Sequence, residues 1–424
     1  METDDLCVHF RSDSAEEALF SWLIDAGLKG ERIRDLFVQF CERLNEEGIM
    51  VKRASITHSA IHPQVNAFMH IWRRGEGLVS NTNFLHTDIP GEGWFASPFF
   101  YMLSNNVDIL HRPLGPESEL DFPVLVEFRN AGMTDWYAQA FDFGWGFENK
   151  HLEHSAGVIT SWATDRPGGF SEAEFSLLRR IIPVFGLAVK GIASFRTAQS
   201  LLETYIGRNT AGKVLSGQIR RGSVESINAV LMHADLRGFT SLSDVLPQEA
   251  LIDMLDQYLE CIATPIETAG GEILKFMGDG LLATFEMPVT DPREVQLICE
   301  TALTVARQMI SDVDAINDER AAAGKPVMGL DIALHVGDVM YGNVGSETRL
   351  DFTVIGPAVN EVSRMEALCE LLGSHLVASA DFVGLSRGKA TGLVSCGLHE
   401  LRGVREPLEL FCDRAPAAAE HARV

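Results

Sequence analysis

The chain has 424 residues, 46% hydrophobic and 22% charged, enough for two or three globular domains at roughly 100–200 residues each. A formal net charge of −24 excludes the broad basic surface of a general nucleic-acid or anionic-membrane binder, yet allows a small anionic substrate at a local cationic cluster. The seven cysteines (Cys7, Cys41, Cys261, Cys299, Cys369, Cys396, Cys412) show no C-x-x-C pair and no zinc spacing, which predicts reduced thiols in a cytoplasmic protein.

The first residues, METDDLCVHF, lack a basic-then-apolar leader. The most apolar stretch, Ile181 to Phe195, holds Pro183 and Lys190 and is too short to span a bilayer. Two helices are predicted next: Ala15 to Ala26, stopping at Gly27, and Glu31 to Asn45, with Ile33, Leu36, Phe37, Phe40, Cys41 and Leu44 at helical spacing. From Ile49 to Trp162, short apolar runs broken by Gly, Pro, Asn and Asp predict an antiparallel sheet. Its strands include Ala67–Trp72, Phe122–Phe128, Trp136–Phe141 and Ala156–Trp162. Trp72, Trp94, Trp136, Trp145 and Trp162 fall here, which suits a large core more than a ligand pocket. The histidines here, His151 and His154 among them, show no metal spacing and read as core or solvent-facing residues.

Ser171 followed by Glu174 is a capping-box pattern that opens a long helix. The strands followed by DRPGGFSEAEFSLLRRI resemble the closing part of GAF domains, small-molecule sensor modules. That resemblance implies a GAF-like α/β regulatory domain over 1–195 with an unknown small-molecule effector. Residues 196–225, with apolar positions three to four apart, read as a helical connector, either paired with its copy in a dimer or docked on its own domain. Its spacing is interrupted at Gly207 and Gly212.

The pattern is cleaner from Ser226. A strand from Ile227 ends at Asp235, and a helix covers most of Ser243 to Ala269. Glu272–Met277 and Leu281–Phe285 form a hairpin whose Gly278-Asp279-Gly280 tip supplies the positive φ of a tight turn. A helix follows from Pro292 to Asn317. Val327–Val336 is a strand turned back at Gly337–Asp338 into Val339–Val344, followed by the strand Phe352–Ile355 and a helix from Pro357 to Leu372. The order β-α-β-β-α-β predicts an α+β, ferredoxin-like (split βαβ) domain. The Ala-rich tail, 414–424, reads as disordered.

A lone Gly-Asp-Gly needs Asp279 only to complete its turn. Asp235, also at the end of an apolar strand, changes the reading, because two carboxylates at strand ends suit a divalent-metal phosphoryl-transfer site. Together VLMHADLRGFTSLSD, GGEILKFMGDGLLATF and ALHVGDVMYGNVGSETRLDFTVIGPAVNEVSRME resemble the class III nucleotidyl cyclase catalytic domain, over 226–413. The resemblance implies conversion of a nucleoside triphosphate to a 3′,5′-cyclic monophosphate and pyrophosphate. The sites would form at a homodimer interface, with metal carboxylates from one subunit and base readers from the other.

It assigns two divalent cations (Mg2+ or Mn2+) to Asp235 and Asp279, with the Leu236 carbonyl as a further ligand. The N–H groups from Arg237 through Gly238, Phe239 and Thr240 suit phosphate oxygens. Asn360 and Arg364, four apart on one helix face, match the pair that holds the ribose and the α-phosphate. Lys275 and Thr353 match the base-reading positions. A lysine donates to adenine N1 where a guanine reader needs an acceptor, so the pair resembles the Lys/Thr adenylyl cyclase subgroup. Arg402 and Arg405 lie where the family uses a lysine on the terminal phosphates, and Pro357 replaces its usual Asp. The expected function is an ATP-binding adenylyl cyclase lyase. Guanylyl cyclase and a catalytically silent nucleotide-binding module are the alternatives. Gly270-Gly271-Glu272 is similar to the diguanylate cyclase signature, but its Asp-Glu-Phe continuation is missing.

Overall fold

The computed structural model describes residues 15–144, 157–287, 291–386 and 392–413. Cys7, Trp145, His151, His154 and the tail from 414, all singled out by the sequence, lie outside them. The chain divides into two compact units, Met1–Leu201 and Leu202–Val424.

In the first unit, α1 (Ala15–Lys29) and α2 (Ile33–Glu46) precede β1 (Val51–Ser59), β2 (Val65–Arg73) and β3 (Gly77–Leu85). Then come α3 (Glu92–Phe95), α4 (Pro98–Asn105), β4 (Ile109–Pro113), α5 (Pro123–Asn130), β5 (Asp135–Asp142), β6 (Gly157–Thr164) and α6 (Glu172–Ile206). The six strands form an antiparallel sheet in the order β3-β2-β1-β6-β5-β4. All six periodic residues of α2 are buried. They pack with α6 around Trp162, which Phe37, Phe40 and Phe185 surround. The other sheet face carries a second core, with Trp136, Phe122, Leu125 and Phe128. Trp72, Trp136 and Trp162 are therefore core residues.

Two expectations fail here. Phe122–Phe128 is mostly the helix α5, opened by Pro123, because a short apolar run has no periodicity that separates strand from buried helix. Helix α1 runs through Gly27 because α6 passes so close that a Cβ there would lie 2.8 Å from Ala188 Cβ. The capping box forms as expected, with the Ser171 N–H donating to Glu174 Oε2 (2.7 Å) and the Glu174 N–H donating to Ser171 Oγ (3.3 Å).

The second unit opens with α7 (Arg208–Leu215), set off from α6 by Gly207 at φ 84°. Gly212 lies within α7 rather than interrupting it. The elements β7 (Val224–Arg237), α8 (Phe239–Ser243), α9 (Gln248–Thr268), β8 (Glu272–Met277), β9 (Gly280–Glu286) and α10 (Pro292–Ala322) follow. Then come β10 (Gly329–Gly345), β11 (Leu350–Ile355), α11 (Pro357–Glu366), α12 (Cys369–Leu372), β12 (Leu376–Ser379), α13 (Ala380–Leu385), β13 (Val394–His399) and β14 (Leu408–Cys412). The sheet runs β13-β14-β12-β10-β7-β9-β8, with β11 added to β10. Its β10-β7-β9-β8 portion is antiparallel throughout, in the predicted β-α-β-β-α-β chain order.

One sheet face packs with α9 and α10 through Met232, Ala234, Met254 and Tyr258. The other packs with α11 through Leu231, Ala333, Val362 and Met365. Gly337–Asp338 does not turn: β10 continues through both, in unbroken register with β7 from Gly329↔Arg237 to Gly342↔Val224. The helix from Pro357 breaks after Glu366. The expectation of reduced thiols also fails at one pair. Antiparallel β13 and β14 bring Cys396 and Cys412 into a disulfide, while Cys41, Cys261, Cys299 and Cys369 are free. Among the described residues no helix is long and apolar enough to cross a membrane.

Candidate active site

The centre of the second unit is a row of residues across three strands. Asp331 on β10 stands opposite Asp235 on β7, which stands opposite Gly280 on β9. Asp279 is next to Gly280, in the hairpin tip between β8 and β9. A Cβ on Gly280 would meet Asp235 Oδ1 at 2.5 Å, so only glycine lets the tip close onto this carboxylate.

Burial pushes the Asp235 carboxyl up to about 6, and the nearby Asp279 and Asp331 charges add to the shift. Glu366, in the last turn of α11, is pushed up to about 7 by burial and by Asp235, Asp331 and Asp279. Glu366 also lies 3.8 Å from His233, whose own pKa burial lowers to about 4. Asp331 is partnered by His375 Nδ1 (3.0 Å) and lies 3.7 Å from Arg237. Asp235 and Asp279 have no such cationic partner among the described residues. Sequence reasoning missed Asp331 and Glu366, because their place depends on cross-strand register and on the end of a helix. Among the described residues no three His, Cys, Asp or Glu side chains form a metal cluster.

The other predicted residues fall into place by element. Leu236 ends the buried part of β7, and Gly238, at φ 97°, turns the chain into α8, which Phe239 and Thr240 open. Asn360 and Arg364 lie one turn apart on α11, Asn360 exposed and Arg364 half-buried. Pro357 is in the first turn of α11. Three contacts seat α11 on β10. A Cβ on Gly337 would lie 2.5 Å from Ala358 Cβ, Gly356 closes on Asp338 O, and buried His335 Nε2 meets Glu361 Oε2 at 3.0 Å. The Arg364 guanidinium also comes within 3.7 Å of where a Gly403 Cβ would stand, beside exposed Arg402 and Arg405.

Lys275 owes its direction to a β-bulge. The β8–β9 register shifts between Ile273 and Lys275, so Lys275 stands opposite Leu282, whose side chain belongs to the α11 face. Strict alternation would have put Lys275 with Ile273, which packs on the α9/α10 side. Thr353 is half-buried on β11 opposite Gly342.

Residues 223–406 match the family described as "Adenylate and Guanylate cyclase catalytic domain". This stretch is a class III cyclase catalytic domain. The chain is 34% identical over 169 residues to the adenylate cyclase of Anabaena cylindrica, covering 39% of this chain and 32% of that one. It is 30% identical over 152 residues to adenylate cyclase 1 of Rhizobium meliloti, covering 36% and 22%. The chain thus spans a third or less of these curated relatives. Among solved structures it is similar to the adenylyl cyclase CyaB of P. aeruginosa, with 26% identity, TM-score 0.40, 45% of this chain and 95% of that one covered. Class III cyclase domains generally use divalent metal ions.

In the second unit, α7 is fastened to β8. Glu272 Oε1 accepts from the Thr210 N–H and hydroxyl (both 3.1 Å), and Glu272 Oε2 accepts from the Tyr341 hydroxyl (2.9 Å). Thr210 and Tyr341 are buried, and Lys213 lies over the Tyr341 ring.

Proposed function

We propose that the chain is an adenylyl cyclase that converts ATP to 3′,5′-cyclic AMP and pyrophosphate. The observation that carries this reading is the approach of the Asp279 hairpin tip to Asp235 in a cyclase domain, with Lys275 Nζ 3.5 Å from Asp351 on the strand that bears Thr353.

The acidic pair fits divalent cations. Burial and neighbouring carboxylates disfavour the charge on Asp235, and a cation between Asp235 and Asp279 would relieve that cost. Two bound ions would act as Lewis acids on the phosphate oxygens and lower the cost of the developing charge. Asp235, Asp279 and the Leu236 carbonyl are the ligands we assign to them.

The reaction forms a bond from the ribose 3′-oxygen to the α-phosphorus, breaks the bond to pyrophosphate and releases the 3′ proton. Asn360 would fix the ribose and Arg364 would stabilise charge on the α-phosphate, a term made strongest in the transition state. Gly238, Phe239 and Thr240 offer N–H groups to phosphate oxygens, and Arg402 and Arg405 offer guanidinium groups to the terminal phosphates. Lys275 would donate to adenine N1, and the Thr353 hydroxyl would accept from the 6-amino group.

The metal carboxylates and the base readers would act from different protomers, so the working unit is a homodimer with two equivalent sites. The first unit would serve as a GAF-like input domain for a small-molecule effector, a role its antiparallel sheet with a core on each face suits.

Turnover of MnATP and MnGTP by the purified protein tests the reading. Preferential formation of cyclic AMP is expected. Preferred turnover of GTP would replace it with guanylyl cyclase, and no turnover of either would leave a nucleotide-binding module.

A further inference from the structure

The Lys275 ammonium is not free in the fold. Its Nζ lies 3.5 Å from Asp351 Oδ2, and both side chains are about half exposed. Asp351 sits two residues before Thr353 on β11, so their side chains leave the same face of the strand. The intervening Phe352 and the following Val354 point the other way. Val354 is buried in the α11-side core, and Phe352 packs edge-on against Tyr341 at 4.8 Å. The orientation of Asp351 and Thr353 is therefore set by the anchoring of their neighbours.

Exposed ion pairs do little for stability, since desolvation is slight and solvent screens the charges. What such a pair can do is restrict a long, flexible side chain. A lysine loses much rotamer freedom when it is fixed, and fixing it before the ligand arrives removes that cost from binding. Asp351 is the group on β11 that the Lys275 side chain meets.

We propose that Asp351 is a positioning residue for base recognition: its carboxylate holds the Lys275 ammonium on the face of β11 that carries Thr353, and so pre-orients the donor that reads the purine ring. The inference rests on the adenylyl cyclase reading above and adds to it a third residue.

The sign of the effect separates positioning from simple charge. ATP is anionic, so deleting a carboxylate near its site would tighten binding if Asp351 acted only through the local potential. Positioning predicts the reverse. In the full-length protein, Asp351→Asn should raise KM for ATP about fivefold, the upper range for an exposed ion pair, with kcat largely kept. It should also narrow the preference for ATP over GTP, and Asp351→Glu should restore both. Far-UV circular dichroism on each variant checks that it is folded. An unchanged or lowered KM for ATP in folded Asp351→Asn would overturn the proposal. A wild-type protein that prefers GTP, or turns over neither nucleotide, removes the underlying reading and the proposal with it. That failure is seen in the wild type alone.

Discussion

Gly280 stands opposite Asp235, and a Cβ at that position would meet Asp235 Oδ1 at 2.5 Å and the Ala234 carbonyl oxygen at 2.7 Å. Two ladder strands cannot absorb such an overlap without moving either the carboxylate or the hairpin. Gly280→Ala should therefore cost about 1–3 kcal/mol of stability, the usual range for overpacking. It should also lower cyclase turnover by at least about tenfold, which needs only ~1.4 kcal/mol of lost transition-state stabilisation. Urea unfolding and a cyclic AMP assay on one preparation measure both. Wild-type turnover in the variant would show that the tip need not close on Asp235.

Asp279→Ala should leave a folded protein and remove at least about 10²-fold of turnover, because metal-borne charge stabilisation amounts to several kcal/mol. Two consequences follow without catalysis. Addition of Mn2+ should raise the melting temperature of the wild type and leave the variant unmoved. The Asp235 carboxyl should also titrate lower than about 6 once the Asp279 charge is gone, an effect visible by NMR. Unaltered turnover would refute the metal assignment.

The parts of this site legible in the sequence are those set by local chemistry. Glycine at the hairpin tip, carboxylates closing apolar strands and the four-residue spacing of Asn360 and Arg364 each depend on a few neighbours. What escaped depends on partners distant in the chain. Asp331 joins Asp235 only through the β7–β10 register, and Glu366 joins them only because α11 lies on that face. Gly337–Asp338 has turn composition, yet α11 needs a close approach there and β7 supplies a partner for every residue, so the strand runs on. The Leu274 bulge leaves no mark in the alternation of β8, although it decides which face Lys275 takes. In the first unit, the six helical positions of α2 were readable, while α5 and the Cys396–Cys412 pair in the second were not.

His58 gives the first unit a pH dependence of defined sign. It is buried against Phe68 and near His70, and burial, then the neighbouring His70, lowers its pKa to about 4. An unfolded imidazole takes up its proton near pH 6.5. Between those values the unfolded chain binds more protons, so the stability that neutral His58 allows is full above about pH 6.5 and is lost as pH falls toward 4. The change is on the order of 3 kcal/mol at most. Melting temperatures across that window should fall more steeply for the wild type than for His58→Leu. Parallel curves would show that His58 is not kept neutral by the fold.

Glu272 joins the helix that leads into the cyclase domain to the strand that carries Lys275, three residues further on. Its carboxylate takes four hydrogen bonds, two from buried Thr210, one from buried Tyr341 and a long one from Asn209 Nδ2 (3.5 Å). Removing the acceptor leaves the buried Thr210 N–H without it, at about 1–3 kcal/mol, while the Thr210 and Tyr341 hydroxyls, 2.9 Å apart, still meet each other. Tyr341→Phe removes one donor and leaves Glu272 with Thr210, so it should cost only about 1 kcal/mol. Glu272→Ala should therefore be markedly more destabilising than Tyr341→Phe. Amide exchange across Arg208–Leu215 should accelerate in Glu272→Ala while β7 keeps its protection, because the β7 ladder to β9 and β10 does not pass through Glu272. If α7 exchanges at the same rate in Glu272→Ala and the wild type, the helix is held by its other contacts, and Glu272 does not couple it to the hairpin.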